Sequence, residues 1–381
     1  MGKLDFDVAI AGAGPAGATA ALVLARNGIK VGLIEASAYE QSRVGESLPP
    51  SARPLLAELS IWESFSRLDS LQSHGNESAW GGADTVFNSF IFNPHGYGWH
   101  LDRCQFDALL ASEAKAAGAT LLQRQKVVSC IPLLNDSWKL VVCDNNREHI
   151  LTARAVIDAS GRNGLLARQL GAIRKPSDFL VGIAVHFRSE KSGGNYTLVE
   201  ATEHGWWYSA TLPDHRLIII FMTDSDICRK GYYMKLEVWE KNLEKTQHTK
   251  TRIIGCSRLW GPSIFPAFSH RLRRQNWSNR WLACGDAAMG VDPLSSSGIM
   301  SALKGGEAAG YTILHWLNGD SQSILLYEQW IDEEFADYMK KHQAYYCLEK
   351  RWPNSPFWLR RNSKSSQVSY FSMSSKPNWY D

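Results

Sequence analysis

Absences narrow this sequence first. Its seven cysteines, at 104, 130, 143, 228, 256, 284 and 347, include no CxxC pair, so the usual structural zinc spacing is missing and no metal is expected. Their odd number and scattered spacing predict free, mostly buried thiols in a cytoplasmic protein. No uninterrupted run of ~18 apolar residues occurs, so no membrane span is expected. The opening MGKLDFDVAI runs into a strand pattern without a long apolar stretch, which predicts no secretory signal. Net charge is only +3, from 41 Lys and Arg against 38 Asp and Glu. With no long basic stripe, that balance argues against nucleic acid as a partner. Internal repeats and low-complexity tracts are also missing. With 44% hydrophobic and 21% charged residues over 381 positions, the chain can bury a core of one large domain or two.

What is present begins with punctuation by glycine. Asp7 to Ala11 read as a buried strand, Pro15 to Asn27 as a helix with Gly28 beyond its end, and Lys30 to Ile34 as a second strand. Between the first strand and the helix stands Gly12-Ala13-Gly14-Pro15-Ala16-Gly17, a GxGxxG turn. The first glycine serves a tight turn, the second lets backbone approach a pyrophosphate, and the third lets the helix sit close to the strand. The helix N-terminus then offers free N–H groups to phosphate. Glu35, about 20 residues on, ends the second strand where it can accept hydrogen bonds from ribose hydroxyls. Spacing alone leaves FAD and NAD both open. No second GxGxxG occurs, so a separate NAD(P)H domain is not expected.

Further along, helices are expected over 103–117, 232–246, 298–317 and 324–348, with strands at 127–131, 138–143, 150–157, several within 179–223, and 281–284. Residues 38–98 read as loop-rich.

Two later motifs extend the pattern. Val156-Ile157-Asp158-Ala159-Ser160-Gly161-Arg162 and Gly285-Asp286-Ala287-Ala288 follow GxGxxG in order, and the set resembles the FAD-dependent monooxygenases of the p-hydroxybenzoate hydroxylase and halogenase superfamily over nearly the whole chain. The resemblance implies FAD as cofactor. It implies an α/β fold in which a Rossmann-like FAD-binding domain (1–75, 103–175 and 275–325) is joined by an antiparallel-sheet substrate domain (76–102 and 176–274). A helical C-terminal region and tail (326–381) would close the chain. Arg43-Val44-Gly45-Glu46-Ser47-Leu48-Pro49-Pro50 and Asp292-Pro293-Leu294-Ser295-Ser296-Ser297-Gly298-Ile299 resemble segments of the halogenase-like branch. The implied cofactor contacts are Gly12, Gly14, Pro15, Ala16, Gly17, Glu35, Ala36, Arg43, Ser47, Arg103, Val127, Asp158, Ser160, Gly161, Gly285, Asp286, Pro293, Ser296, Ser297, Gly298 and Ile299.

Departures then count against halogenation. Leu71 to Gly82, LQSHGNESAWGG, has no lysine, where the halogenases carry the lysine that handles hypohalous acid. Ser295 stands where tryptophan halogenases have Glu, and the WxWxIP signature is missing. Asn76 to Gly81, Gly205 to Pro213 and Arg351 to Arg361 instead resemble the LodB-like flavoproteins. These are maturation enzymes of cysteine tryptophylquinone-dependent amino-acid oxidases. That resemblance implies oxygenation of a tryptophan in a quinoprotein oxidase precursor, with electrons from NAD(P)H or a flavin reductase. Three rivals stay open: a halogenase or hydroxylase of small aromatics, a reductase resembling the geranylgeranyl reductases, and a non-catalytic flavoprotein chaperone.

No catalytic base is singled out. His74 and His100 are candidates as acid or base, as are His95 and His204, and each also reads as an ordinary loop histidine. Trp80 and Trp207, with Trp99, Trp206 and Tyr208, either ring a site that positions an indole or form plain core. Adjacent Trp206 and Trp207 on a strand must face opposite ways. Arg351, Arg360, Arg361 and Lys364, interleaved with Trp352, Phe357 and Trp358, read equally as a docking patch or a self-packed tail. Arg271, Arg273 and Arg274 read as a solvated turn.

Overall fold

The computed structural model describes residues 4–134, 136–144, 147–189, 194–273 and 280–362. Lys364, Arg274 and the tail from 363 lie outside these residues.

The first strand, Phe6–Ala11, is almost wholly buried because helices cover it, as its continuous apolar run requires. It sits between Val31–Glu35 and the C-terminal half of Arg147–Asp158, parallel to both. Thr120–Gln123 and Trp281–Ala283 extend this parallel sheet at either side. The N-terminal half of Arg147–Asp158 leaves it and pairs antiparallel with Trp138–Asp144, which pairs with Gln125–Pro132. Three helices pack on this sheet: Pro15–Arg26, Arg103–Ala116 and Gly298–Leu317. The last lies directly on the first, because Gly306 and Gly310 remove the side chains that would collide. A Cβ on Gly306 would stand 2.2 Å from the Ala16 carbonyl oxygen, and one on Gly310 2.9 Å from Val23.

A second seven-stranded sheet runs Cys256–Pro266, Leu180–Ser189, Arg216–Asp224, Gly205–Leu212, Thr197–Thr202, Gly75–Ala79, Val86–Ser89. It is antiparallel except where Gly75–Ala79 meets Thr197–Thr202. Strand alternation sorts its buried residues into two clusters. Trp206, Tyr208, Ile218 and Ile220 face one way, while Trp207, Phe221 and Ile219 face the other, against Trp239 of the helix Leu236–Leu243, as expected for the Trp206–Trp207 pair. The long helix Ser323–Tyr346 and the short Pro356–Asn362 cover the first of these faces.

Some expectations shift. The helix expected over 232–246 is shorter, Leu236–Leu243, and a further helix, Ser225–Lys230, precedes it, the two separated by a turn at Gly231 and Tyr232, whose φ is +54°. The loop-rich 38–98 holds two short helices, Ala52–Glu58 and Trp62–Ser66, and several short strands. Cys256–Pro266 is a strand with no sequence signal, because its two prolines discourage that reading. It lies at the sheet edge, where the missing N–H groups cost nothing. All seven cysteines are free, with three of them buried.

Candidate flavin site

The glycine turn has the geometry its spacing predicts. Gly12 has φ +103°, and a Cβ there would lie 2.4 Å from the Ala159 carbonyl oxygen. On Gly17 it would lie 1.9 Å from the Gly12 carbonyl oxygen, so the helix can seat only with glycine there. Gly14 differs: its Cβ would meet nothing nearer than the Arg43 guanidinium at 3.8 Å. Space is therefore open at the residue that caps the helix, with Pro15 and Ala16 as its first turn, and a pyrophosphate fits there.

Glu35 closes one side of this turn. Its buried carboxylate accepts from the Ala13 N–H at 2.9 Å, the Ser37 N–H at 3.0 Å and the Ser37 hydroxyl at 2.6 Å. Burial would raise its pKa, but the Ser37 and Ala13 donors and the Arg43 charge outweigh that and hold it below the usual value. Ala36 is exposed beside it. Arg43 bridges Glu35 at 3.1 Å and Asp107 at 3.4 Å. Arg103 then grips Asp107 with two nitrogens at 3.0 Å each and donates to the Val44 and Gly45 carbonyls at 3.1 Å. Asp107 is fully buried. It is the hub of this network and was not expected, although its i, i+4 spacing from Arg103 was there to find.

The second and third motifs meet behind the turn. A Cβ on Gly285, whose φ is +57°, would lie 2.6 Å from the Ala16 Cβ. Arg162 pairs with Asp286 at 3.1 Å and donates to the Phe268 and Val291 carbonyls. Asp158 turns inward: its oxygens accept from the Ser160 N–H, the Ser160 hydroxyl and the Ala167 N–H. They are thereby spent on shaping the Ser160–Gly161 turn. Val127 is buried in the outer meander strand opposite Val142, outside this hydrogen-bonded group.

The Pro293–Ser295 turn and the Gly298–Leu317 helix form the far wall. Ser296 adopts φ +47°, which is strained for a non-glycine residue. The Ser295 and Ser297 hydroxyls share a 2.7 Å bond. No atom lies within 4 Å of a Cβ built on Gly298, so the N-terminus of this helix, followed by Ile299, faces open space. Such a helix start favours a partial negative charge.

Ser47 connects this region to the second sheet. Its hydroxyl shares bonds with the Tyr208 hydroxyl at 2.9 Å and the Thr197 hydroxyl at 3.2 Å, and Thr197 reaches His100 Nε2 at 3.1 Å. His100 is fully buried, and burial first, then the Arg252 charge, pushes its pKa down to about 4. At neutral pH it is therefore an uncharged imidazole and no proton donor of the charged kind. Neighbouring Glu46 is also buried, and burial raises its carboxyl to about 7. His74 is an exposed residue whose ring meets Tyr97 edge-on. His95 lies in a turn, and His204 accepts a bond from Thr223 with its carbonyl.

The aromatic candidates are core. Trp207 is fully buried against Phe221 and Trp239, on the sheet face opposite Trp206, which corrects its candidacy for a site wall. Trp80 packs edge-on against Trp206 and Trp358 and donates to the Tyr345 carbonyl at 3.0 Å. Trp99 packs under Phe65 and Trp62. The C-terminal arginines are also ion-paired within the chain. Arg351 pairs with Glu349 at 2.6 Å and covers Trp352, while Arg360 and Arg361 share buried Asp224. Arg271 likewise pairs with Glu328 and Asp332 and is buried rather than solvated.

This fold and site define a flavin-dependent oxidoreductase of the halogenase type. The tryptophan halogenase family matches residues 7–74 and 84–372, and the chain belongs to that family. It is 30% identical over 367 residues to LodB of Marinomonas mediterranea, a putative FAD-dependent oxidoreductase, across 95% of this chain and 98% of that one. It is 25% identical to a peptidyl-carrier-protein pyrrole-2-carbonyl chlorinase of Pseudomonas fluorescens, across 91% and 85%. Among solved structures, the myxobacterial chondrochloren halogenase CndH superposes with a TM-score of 0.86 at 22% identity, covering 96% of this chain and 87% of that one. QhpG, a peptidyl tryptophan dihydroxylase essential for tryptophylquinone cofactor biogenesis, superposes with a TM-score of 0.70 at 20% identity, covering 94% and 78%. The chain is an enzyme with a Rossmann-like FAD-binding fold and FAD as its cofactor. The open approach at Gly14 and at Gly298 fits that group. Among the described residues, no helix is long and apolar enough to cross a membrane.

Proposed function

We propose that this flavoprotein is a monooxygenase that hydroxylates a tryptophan side chain of a partner oxidase precursor, in the cytoplasm, during biogenesis of a cysteine tryptophylquinone cofactor. The observation that carries this reading is the segment Leu71–Gly82. It has no lysine, its residues from 75 fall in the gap of the family match, and it is built as two short strands, Leu71–Ser73 and Gly75–Ala79, that belong to different sheets. Its end is tied to the helix Ser323–Tyr346 through Trp80–Tyr345 and to the loop after it through Gly81–Glu349. A halide relay has no lysine to use there. Likeness to LodB along the whole chain and the fold shared with QhpG support the same direction.

A protein substrate needs an exposed docking face. Val86 and Phe87 on the edge strand, then Ile91 and Phe92 beyond it, are 53, 51, 77 and 94% exposed. Apolar side chains concentrated on an edge strand suit contact with another protein.

In this reading residues 1–75, 103–175 and 275–325 hold FAD, and 76–102 with 176–274 receive the substrate. Bound FAD, reduced by NAD(P)H or a flavin reductase, supplies an electrophilic oxygen from O₂. The Gly14, Ala16 and Gly17 N–H groups would bind its pyrophosphate, Glu35 would accept from its ribose, and Arg43 and Arg103 would add positive charge. The Gly298 helix start stabilises negative charge on the ring system.

The test is a paired assay on FAD-loaded protein with a reducing system. An unprocessed quinoprotein precursor is expected to stimulate oxygen consumption. Bromide with free tryptophan is expected to give no brominated product. A brominated small aromatic would move the assignment to the halogenase alternative suggested by the family match.

A further inference from the structure

Asp292 opens the Pro293–Gly298 turn, and its carboxylate is completely buried. A carboxylate out of water is costly unless every lone pair is met. Here three donors meet it, two of them from one helix. Oδ2 accepts from the Tyr346 hydroxyl at 2.8 Å and from His342 Nε2 at 3.1 Å, while Oδ1 accepts from the Leu294 N–H at 2.9 Å. The Asp292 N–H donates to the Tyr338 hydroxyl at 2.8 Å. Tyr338, His342 and Tyr346 are spaced by four along Ser323–Tyr346, so they form a ladder on one helix face. Burial would raise the Asp292 pKa, but the His342, Leu294 and Tyr346 donors reverse that and keep it ionised. The ladder also reaches the second sheet, since Trp206 Nε1 donates to the Tyr346 hydroxyl at 2.9 Å.

Holding a loop does not require a buried anion, because apolar packing would do so at lower cost. We propose that Asp292 is a positioning residue for the flavin. Clamped by the Tyr338–His342–Tyr346 ladder, it fixes the Pro293–Gly298 turn and sets a permanent negative charge that lowers the flavin's reduction potential. The proposal rests on the reading that this turn faces FAD. It does not depend on which substrate is oxygenated.

The experiment uses the full-length FAD-loaded protein without partner. The flavin midpoint potential, its visible spectrum and the FAD dissociation constant are measured for wild type, Asp292→Asn and Tyr346→Phe. Asp292→Asn is expected to raise the potential, because removing a nearby negative charge favours the electron-rich reduced flavin. It is also expected to weaken FAD binding by about tenfold, from loss of charged hydrogen bonds. Tyr346→Phe keeps the ring and its packing, and is expected to weaken FAD binding several-fold with an altered flavin spectrum. Wild-type potential, spectrum and affinity in a folded Asp292→Asn protein overturn the proposal. If that variant does not fold, the same null result in Tyr346→Phe overturns it. Gly298→Val, which has free space for its side chain, tests the premise separately. Unchanged FAD affinity in that variant overturns the flavin-facing reading of the turn, and the proposal with it.

Discussion

Three glycines in one turn answer to different constraints, and alanine substitution separates them. Gly14 has extended backbone (φ −73°, ψ −173°) and free space around a Cβ. Gly14→Ala is expected to leave the apoprotein melting temperature unchanged while weakening FAD binding at least tenfold, read by fluorescence titration. Gly17→Ala would drive a Cβ into the Gly12 carbonyl, and is expected to cost about 1–3 kcal/mol of stability as well. This trio was legible because a turn's demands on glycine are local. Asp107 showed only its i, i+4 spacing from Arg103 and Asp292 showed no partner, because a buried carboxylate's value also depends on partners 64 and 54 residues away, such as Arg43 and Tyr346. Titration belongs to the same scale. His100, His186 and His270 are each lowered to about 4, chiefly by burial. The unfolded chain therefore binds more protons below its ordinary histidine pKa. Stability present above pH 6.5 is lost as pH falls toward 4. Glu46 acts in the opposite sense. Its folded pKa is raised from 4.5 to about 7, so its favourable contribution is greatest at low pH and is lost as pH rises through that window. Glu46→Gln is expected to raise stability at pH 8 by on the order of 3 kcal/mol and to leave it unchanged at pH 4, checked by denaturant titration at both values.

Elements with strong periodicity were readable. The helix Gly298–Leu317 begins and ends where its apolar spacing places it, and Pro15–Arg26 ends one residue before the expected Asn27. The misses have physical causes. Cys256–Pro266 pairs along Leu180–Ser189 despite Pro262 and Pro266, because an edge strand needs donors on one side only. The start of Leu236–Leu243 four residues after the expected 232 follows the turn at Gly231–Tyr232, which helical spacing does not reveal. Helix contact offers an element-level test. A Cβ on Gly305 would approach no atom closer than 3.5 Å, whereas one on Gly306 would come within 2.2 Å of the Ala16 carbonyl. Gly305→Ala is expected to be silent. Gly306→Ala should push the Gly298–Leu317 helix off the phosphate-binding helix, lowering the melting temperature by several degrees and reducing FAD content of the purified protein.

On the scale of the whole molecule, Ser323–Tyr346 ties the two sheets together. One end of its polar face holds the Asp292 turn, and Tyr346 also holds Trp206 of the second sheet. The C-terminal arginines left open two readings in the sequence. Asp224, Asp226 and Glu349 pair with them within the fold, so the aromatic and basic composition there reflects internal packing. A cluster of exposed apolar residues sits elsewhere, at Val86 to Phe92, a stretch that read only as loop. Ile91→Asp with Phe92→Asp is expected to leave FAD loading and melting temperature at wild-type values and to lower precursor-stimulated oxygen consumption about tenfold or more, as loss of an apolar interface anchor does.

The central assignment, flavin-driven oxygenation of a protein-bound tryptophan, is tested most directly by intact-mass and peptide mass spectrometry of a quinoprotein oxidase precursor co-expressed with this chain. With the wild-type enzyme, one tryptophan is expected to gain the mass of oxygen. With Gly14→Ala, shown to lack FAD, that gain is expected to disappear. Oxygen insertion that persists without bound FAD, or a precursor left unmodified by the FAD-loaded wild type under reducing turnover, would contradict the assignment.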